Sequence, residues 1–592
     1  MSKVQLRDLI DTNYPFENYP ENMRLLKYLT VLMLLASAKC VFSQSVYPSD
    51  TVSLATNNIH LNLINGGYFL DHRNGQLPLR IKEGDVVIPG IKALSLWMIG
   101  MDAGYNIRGK AQKGFGMDTT SFVPGPLLSI PNEINLSNNF NRFWRSSAYD
   151  IGVFRGDYYD NQVFDNPIPE SILGWPATGN PFFEGVHGFE LPENEFGYAP
   201  FFDKNGDSVY NPEDGDYPCI AGDEGVWWVF NDHSELNPEG FPFNLGLEIK
   251  AEASTHDLPG VLGNTVFFHF SFMNKNLFSL KNLQIGLFVD GLLGCSTNNR
   301  VASLPEEDIF IIYNAVPDDE FCESEISFPE NPGVIAVKTI YPPLLEDGSF
   351  SPMKSFMYLR PEGDTIMPLG ARWPENAWES YQYLNSSWRD GSHLYLGGNG
   401  YQLGTEIADH AFDGTLLPGG TDLWYDEQIN SPVGIMGYEG VQLHPGEANR
   451  VAFAISWIEG EFDITNESDK ARVVDSMFQT YLYYFEGGDF YYNPHFCVQP
   501  IILNEQAPEV QSDLVVYPNP ANSVVNVILK RGNEVINSIE LFDPIGRSVL
   551  KRKNIDKRHL ELEGNDLPAG IYFLKIATSK GKTHVSSLSF QH

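Results

Sequence analysis

Apolar residues near the end of the chain recur at every second position. In VVYPNPANSVVNVIL (515–529) a short strand meets a Pro-Asn-Pro turn, and Val524, Val525, Val527 and Leu529 mark the strand that follows. SIELFDPIGRSVLKR (538–552) is strand, turn and strand, with the turn at Asp543-Pro544-Ile545-Gly546. LPAGIYFLKIATSKGKTHVSSLSF (567–590) repeats the scheme around Gly581. Period-2 alternation with turn signals every 8–12 residues predicts a small antiparallel, Ig-like β-sandwich.

The larger body shows strand-like runs at 264–275, 282–291, 308–315 and 449–460. Within the first, VFFHFSF has apolar residues on both faces, as in a buried sandwich strand. One helix is predicted over 466–485, where Val474, Met477, Phe478, Tyr481, Leu482 and Phe485 recur at helical spacing, Asn466 caps the start and Gly487 ends it. The fold class is therefore mostly β: sandwich-like body modules and a small C-terminal sandwich. The boundaries are an N-terminal extension and signal over 1–43, a body of two or more modules over 44–503, a polar linker over 504–513 and a terminal domain over 514–592.

Composition sharpens this picture. The 592 residues exceed one core, and 13% aromatics with 53 Gly and 39 Pro suit short strands joined by turns. The net charge of −37 is uneven, with about −41 in the middle and about +3 in the last 80 residues. A polyanion would be repelled and no basic stripe appears, so nucleic acid is excluded as a partner. Cys219, Cys295, Cys322 and Cys497 form no C-x-x-C pair. That argues against zinc and leaves three disulfide pairings open.

MRLLKYLTVLMLLASAKCVFSQS has a secretory design. Arg24 and Lys27 precede the apolar run Tyr28–Ala36, small residues follow, and cleavage is expected near Ser43. Met23 is the expected true start. Lys39 stands where a lipoprotein site at Cys40 would need a small residue. No later segment has the ~18 consecutive apolar residues of a membrane helix, so the mature protein is expected to have none.

The sharpest candidate chemistry is FFDKNGDSVYNPEDGDYP (201–218). Asp203, Asn205, Asp207 and Asp214 stand at loop positions 1, 3, 5 and 12, the Val209 carbonyl at 7 and Asn211 at 9. Calcium takes six to eight hard oxygens, and alternate residues of a tight turn can aim them at one point. The spacing resembles EF-hand and dockerin loops. It departs from them with Gly206 at position 4, Ser208 at 6 and an Asp at 12. A structural Ca2+ is the expected cofactor.

GDEGVWWVFNDHSE (222–235) sets Asp223, Glu224, Asp232 and His233 around Trp227-Trp228. The carboxylates could serve glycoside hydrolysis, but a Trp-Trp-Val-Phe strand between polar turns reads first as core. No catalytic residue is assigned. There is no nucleophile elbow, HExxH, P-loop or dinucleotide fingerprint.

Two resemblances follow from motifs. Tyr517-Pro518-Asn519-Pro520, then Leu541-Phe542-Asp543 with Gly546, then Leu567-Pro568-Ala569-Gly570-Ile571-Tyr572 resemble the type A C-terminal sorting domain of Bacteroidetes type IX secretion cargo. The resemblance implies export through the type IX machinery, removal of the domain, and release or attachment to surface lipopolysaccharide. The ending SLSFQH departs from the basic ending of many relatives. SLWMIGMDAGYNIRGKA, VPGPL, ILGWPATGN, WWVFND, VDGLLG and PVGIMGYEGVQLHPGEANRVAFAISW resemble segments of large surface or secreted Bacteroidetes proteins, a family that implies no activity.

The expectation is a secreted or surface protein whose non-enzymatic body binds or adheres to a polysaccharide or protein ligand. The alternatives are a carbohydrate-active enzyme and a structural part of an envelope assembly.

Overall fold

The computed structural model describes residues 48–590 except 71–77, 85, 114–121, 129–132, 220–221, 235–240, 296–297, 316–327, 329–330, 361–367, 402–405, 415–423, 425–432, 464–465, 487–513, 518–523, 530–534, 543–547, 565–566, 568–569 and 580–582. The segments 1–43 and 504–513, expected to be a signal region and a linker, lie outside the described residues. The fold is mostly β and antiparallel.

Two large sheets make the body. One has ten strands, with Thr51–Leu54, Ile59–Ile64, Leu79–Glu83, Val86–Met101, Leu280–Gly291, Val433–Tyr438 and Met353–Leu359 side by side. The other has nine. Its path runs Asn299–Leu304, Ile309–Asn314, Val334–Tyr341, Ala448–Ile458, Thr265–Asn274, Leu247–Thr255, Glu224–Asn231 and Val123–Pro124. They pack face to face. Phe69 of the first lies 5.0 Å from Phe268 and 5.2 Å from Phe270 of the second, and Phe310 meets Phe356 at 5.0 Å. One contiguous apolar cluster fills the space between them.

The outer faces are largely covered too. Over the second sheet, an insertion between Val123–Pro124 and Glu224–Asn231 lays Phe140, Trp144 and Trp175 on Trp227 and Val229. The helix Glu467–Glu486 lays Val473 and Met477 on Ala336, Ile340, Ala452 and Ala454. Asn466 caps it as expected, its Oδ1 accepting the Ser468 N–H at 2.8 Å. The apolar stripe is rotated toward Val473, with Val474 only partly buried. On the first sheet, Trp97 stacks on Phe288 at 5.9 Å and Trp373 closes on Phe288 at 5.8 Å. Gly286 lets this cover approach, since a Cβ there would meet Leu384 at 2.5 Å.

The C-terminal region is a second, smaller sandwich. Leu514–Tyr517, Val524–Leu529 and His559–Glu563 form three strands, and Ser548–Lys557, Ile536–Phe542, Gly570–Thr578 and Thr583–Phe590 form four. Val525, Val527, Leu562, Ile539, Leu541, Leu574 and Leu588 make its core from both sheets. The edge strand Ser548–Lys557 is almost wholly exposed and carries Lys551, Arg552, Lys553 and Lys557. Such charge discourages pairing with a further strand.

Candidate functional site

The 203–216 loop is closed by its own side chains. Asp203 accepts the N–H of Gly206 at 2.7 Å and of Ser208 at 2.8 Å, and Asp207 accepts that of Val209 at 2.8 Å. Asn205 accepts from the Asp207 N–H at 3.0 Å. Asn211 Nδ2 donates to Asp214 at 2.7 Å, and Asp214 is exposed. The reading by spacing missed Asp216. It is fully buried, and its oxygens accept the N–H of Lys204 and Asn211, both at 2.9 Å. Burial pushes its carboxyl up, and the nearby charges of Asp203 and Asp207 push further against those hydrogen bonds. The repeated Asp-Gly-Asp at 214–216 was the available signal, and Asp214 masked it by standing at position 12. Among the described residues, no three His, Cys, Asp or Glu side chains lie at metal-holding separations.

Of the 222–235 candidates, Glu224 lies on the strand Glu224–Asn231, Asp223 precedes it, and Asp232 and His233 follow it. Glu224 begins that strand and Asn231 ends it, roughly 23 Å apart at ~3.3 Å per residue. Trp227 and Trp228 are core on opposite faces. Glu224 pairs with Arg145 and accepts from Thr56. Asp223 accepts the Asp257 N–H at 2.7 Å. Asp232 accepts three N–H groups, from Leu245, Gly246 and Leu247; burial raises its carboxyl, while Lys110 opposes the shift. These carboxylates brace the fold at separate places.

Asp232 and its neighbours support an open cleft of about 1090 Å³, which the sequence reading did not foresee. Seven separate stretches of chain build it. Arg108 enters from the strand Ile107–Lys110 and is fixed on three sides. Its Nε and Nη2 reach Asp102 Oδ2 at 3.0 and 2.9 Å, and Nη1 donates to the Asn244 carbonyl at 2.8 Å. Its guanidinium lies 4.9 Å from the rings of both Phe243 and Phe278. Against the upward push of burial, hydrogen bonds from Asn106, Arg108 and Gly104 hold the Asp102 carboxyl down at about 2. Opposite, Lys275 Nζ meets Glu195 at 3.0 Å. Beneath them, buried Glu248 accepts from Asn194 at 2.6 Å and from the Leu127 N–H at 2.9 Å. Burial raises the Glu248 carboxyl, and it brings neighbouring Lys250 down to about 8. Phe243 and His233 remain at the cleft wall, Phe243 being 44% exposed. Amides, charges and an aromatic face are thus held ready at one opening.

In the C-terminal sandwich, Tyr517 pairs with Asn526 where the first strand ends. Pro518, Asn519, Pro520 and Gly546 lie outside the described residues. Gly570 opens the Gly570–Thr578 strand opposite Phe590. The buried Tyr572 packs on Phe590 at 5.8 Å. Residues 515–588 match the family model described as a secretion system C-terminal sorting domain. This region is a type A sorting domain of the type IX secretion system. The sorting domain directs the chain to the cell surface or the medium, and type IX machinery is its partner. Cys219 and Cys295 each take part in a disulfide bond, as oxidising surroundings outside the cytoplasm permit. Among the described residues, no helix is long and apolar enough to cross a membrane. No curated protein matches the chain. A solved polysaccharide lyase is 8% identical over 69% of this chain and 42% of its own, at a TM-score of 0.18, too low to carry an argument.

Proposed function

We propose that the sorting domain delivers a binding protein whose body captures a ligand at the cell surface or in the medium and leaves it chemically unchanged. The observation that carries this reading is the cleft. Its cations serve as scaffolding, Arg108 for Asp102 and Asn244, Lys275 for Glu195. Phe243 offers a ring face beside them. A site built this way recognises shape and hydrogen-bonding pattern with little reorganisation on binding. The test is to immobilise the full mature chain, offer polysaccharides and surface proteins, and follow both retention and chemical products. Retention without products, lost at least about tenfold on Phe243→Ala, is the expected result. Products released at a catalytic rate would overturn the reading in favour of a carbohydrate-active enzyme.

The 203–216 loop is proposed as a structural calcium site. Asp203, Asn205, Asp207, the Val209 carbonyl, Asn211 and Asp214 supply hard oxygens, and Asp216 adds one beside Asp203 and Asp207. A divalent cation would relieve the repulsion among these three carboxylates. Melting of the full chain is expected to rise by about 5 °C with calcium over chelator. Equal curves, or an undiminished shift in Asp203→Ala with Asp207→Ala, would sink the proposal.

A further inference from the structure

The side chains that fix the cleft also lead out of it. Asp102 pins Arg108 with one oxygen. With the other it caps the turn 102–106, accepting the N–H of Gly104 at 2.8 Å and of Asn106 at 3.0 Å. Tyr105 sits in that turn, 71% exposed, with φ +61°. A bulky residue in the left-handed region is strained, and such strain gathers at functional places. The Lys281 ammonium lies 4.8 Å from the Tyr105 ring.

The next residue continues the run. Asn282 stands where the register of Leu280–Gly291 slips against Val86–Met101, and its φ is +47°. Bulges of this kind re-aim side chains. Asn282 Nδ2 donates to the Tyr381 hydroxyl at 2.7 Å, and Tyr381 stacks on Trp378 with 5.7 Å between centroids. Trp378 is 54% exposed. Links therefore run from Phe243 in the cleft to Trp378 on the surface, joined at one step through the backbone from Lys281 to Asn282. Among the described residues, five large aromatic side chains are exposed. Three of them, Phe243, Tyr105 and Trp378, are on this run, so it concentrates the aromatic surface of the body.

We propose that this run is a track for a polysaccharide, with sugar rings stacking on Phe243, Tyr105 and Trp378. The inference rests on the capture reading and extends it from the cleft to a longer binding surface. The chemistry favours a glycan over a protein partner. Each ring stands beside a polar group: Arg108 by Phe243, Lys281 by Tyr105, and the Asn282-bound hydroxyl of Tyr381 by Trp378. A pyranose presents a C–H face for a ring and hydroxyls at its edge for such neighbours. A protein partner would instead favour a closed apolar centre from which water is excluded.

The test uses the full mature chain against soluble xylan, mannan, mixed-linkage glucan, pectin and alginate by affinity electrophoresis, then against length-graded oligosaccharides of whichever binds. Tyr105→Ala with Trp378→Ala is expected to weaken polymer binding at least about tenfold. It should also abolish the gain in affinity with oligosaccharide length, while Tyr149→Ala, exposed on the helix Ala148–Asn161, changes nothing. Circular dichroism establishes that the variants fold. If Phe243→Ala abolishes binding and the Tyr105/Trp378 pair does not, the cleft stands and the track is overturned. If no polysaccharide binds and a surface protein is retained through these rings, the glycan assignment is overturned while capture survives. If nothing binds, both fail.

Discussion

The chain contains two antiparallel sandwiches that differ in how their strands meet water. In the sorting domain, Val524–Leu529 alternates half-buried with buried, and the edge strand Ser548–Lys557 is nearly all exposed. In the body, Glu224–Asn231, Val334–Tyr341 and Val433–Tyr438 are buried at every position. The difference comes from covering layers: helical and irregular segments sit on outer faces of the body sheets. The small sandwich has one apolar face per strand, whereas the large one has become a multilayered body with two. Covered sheet faces make such a body a firm frame for a surface site.

The most severe way to separate the two is to delete 514–592. Export is expected to fail, with the protein retained in the periplasm, because the sorting domain carries the secretion signal. The body should keep its melting transition, since neither large sheet takes a strand from this region. Fractionation and a thermal melt check both halves. Normal appearance outside the cell would contradict the assignment, and loss of the melt would show that the body depends on the terminal sandwich.

A smaller effect tests the two-faced strand. Trp227 packs under the insertion and Trp228 between the sheets, both with no exposed surface. Truncation to Ala at either position should cost about 3–5 kcal/mol. In the sorting domain, exposed Lys553→Ala should cost less than about 0.5 kcal/mol. Chemical denaturation of each single variant gives the numbers. A mild Trp227→Ala would mean that the insertion is a loose cover.

The same contrast explains what the sequence made legible. One-faced strands leave a period of two, so the sorting sandwich could be placed almost strand by strand from 515–590. The helix at 467–486 declared itself through Asn466 and its 3.6 period. Strands covered on both faces lose alternation, so Trp227-Trp228 announced burial and not which layer each would join. The cleft was illegible for another reason. Arg108, Asn194, Phe243 and Lys275 come from distant segments, brought together by tertiary contacts such as Arg108 with the Asn244 carbonyl, the Lys275 N–H with the Gly246 carbonyl and the pairing of Leu247–Thr255 with Thr265–Asn274. The 203–216 loop could be proposed as a cation site because its oxygens are local, although burial of Asp216 depended on contacts that spacing cannot report.

Double covering has an electrostatic cost that the open sandwich avoids. Asp290, on Leu280–Gly291, is 5% exposed, and its Oδ1 has no hydrogen-bond partner among the described residues. Burial raises its carboxyl to about 6 despite nearby Lys92. Its usual value is 3.8, so between these values the unfolded chain gives up the proton that the fold retains. The contribution is therefore full below pH ~4 and declines as pH rises through about 6, by roughly 3 kcal/mol. Asp290→Asn should leave stability nearly unchanged at pH 4 and raise it at pH 7, flattening the profile between. Denaturation of wild type and variant at pH 4, 5.5 and 7 decides it. In the sorting domain no carboxylate is buried among the described residues, and against the upward push of burial, hydrogen bonds from Lys551 and Ser548 hold the Glu540 carboxyl down, a shift of the opposite sign. A gain of equal size at pH 4 and 7 would show that Asp290 destabilises by shape and not by charge.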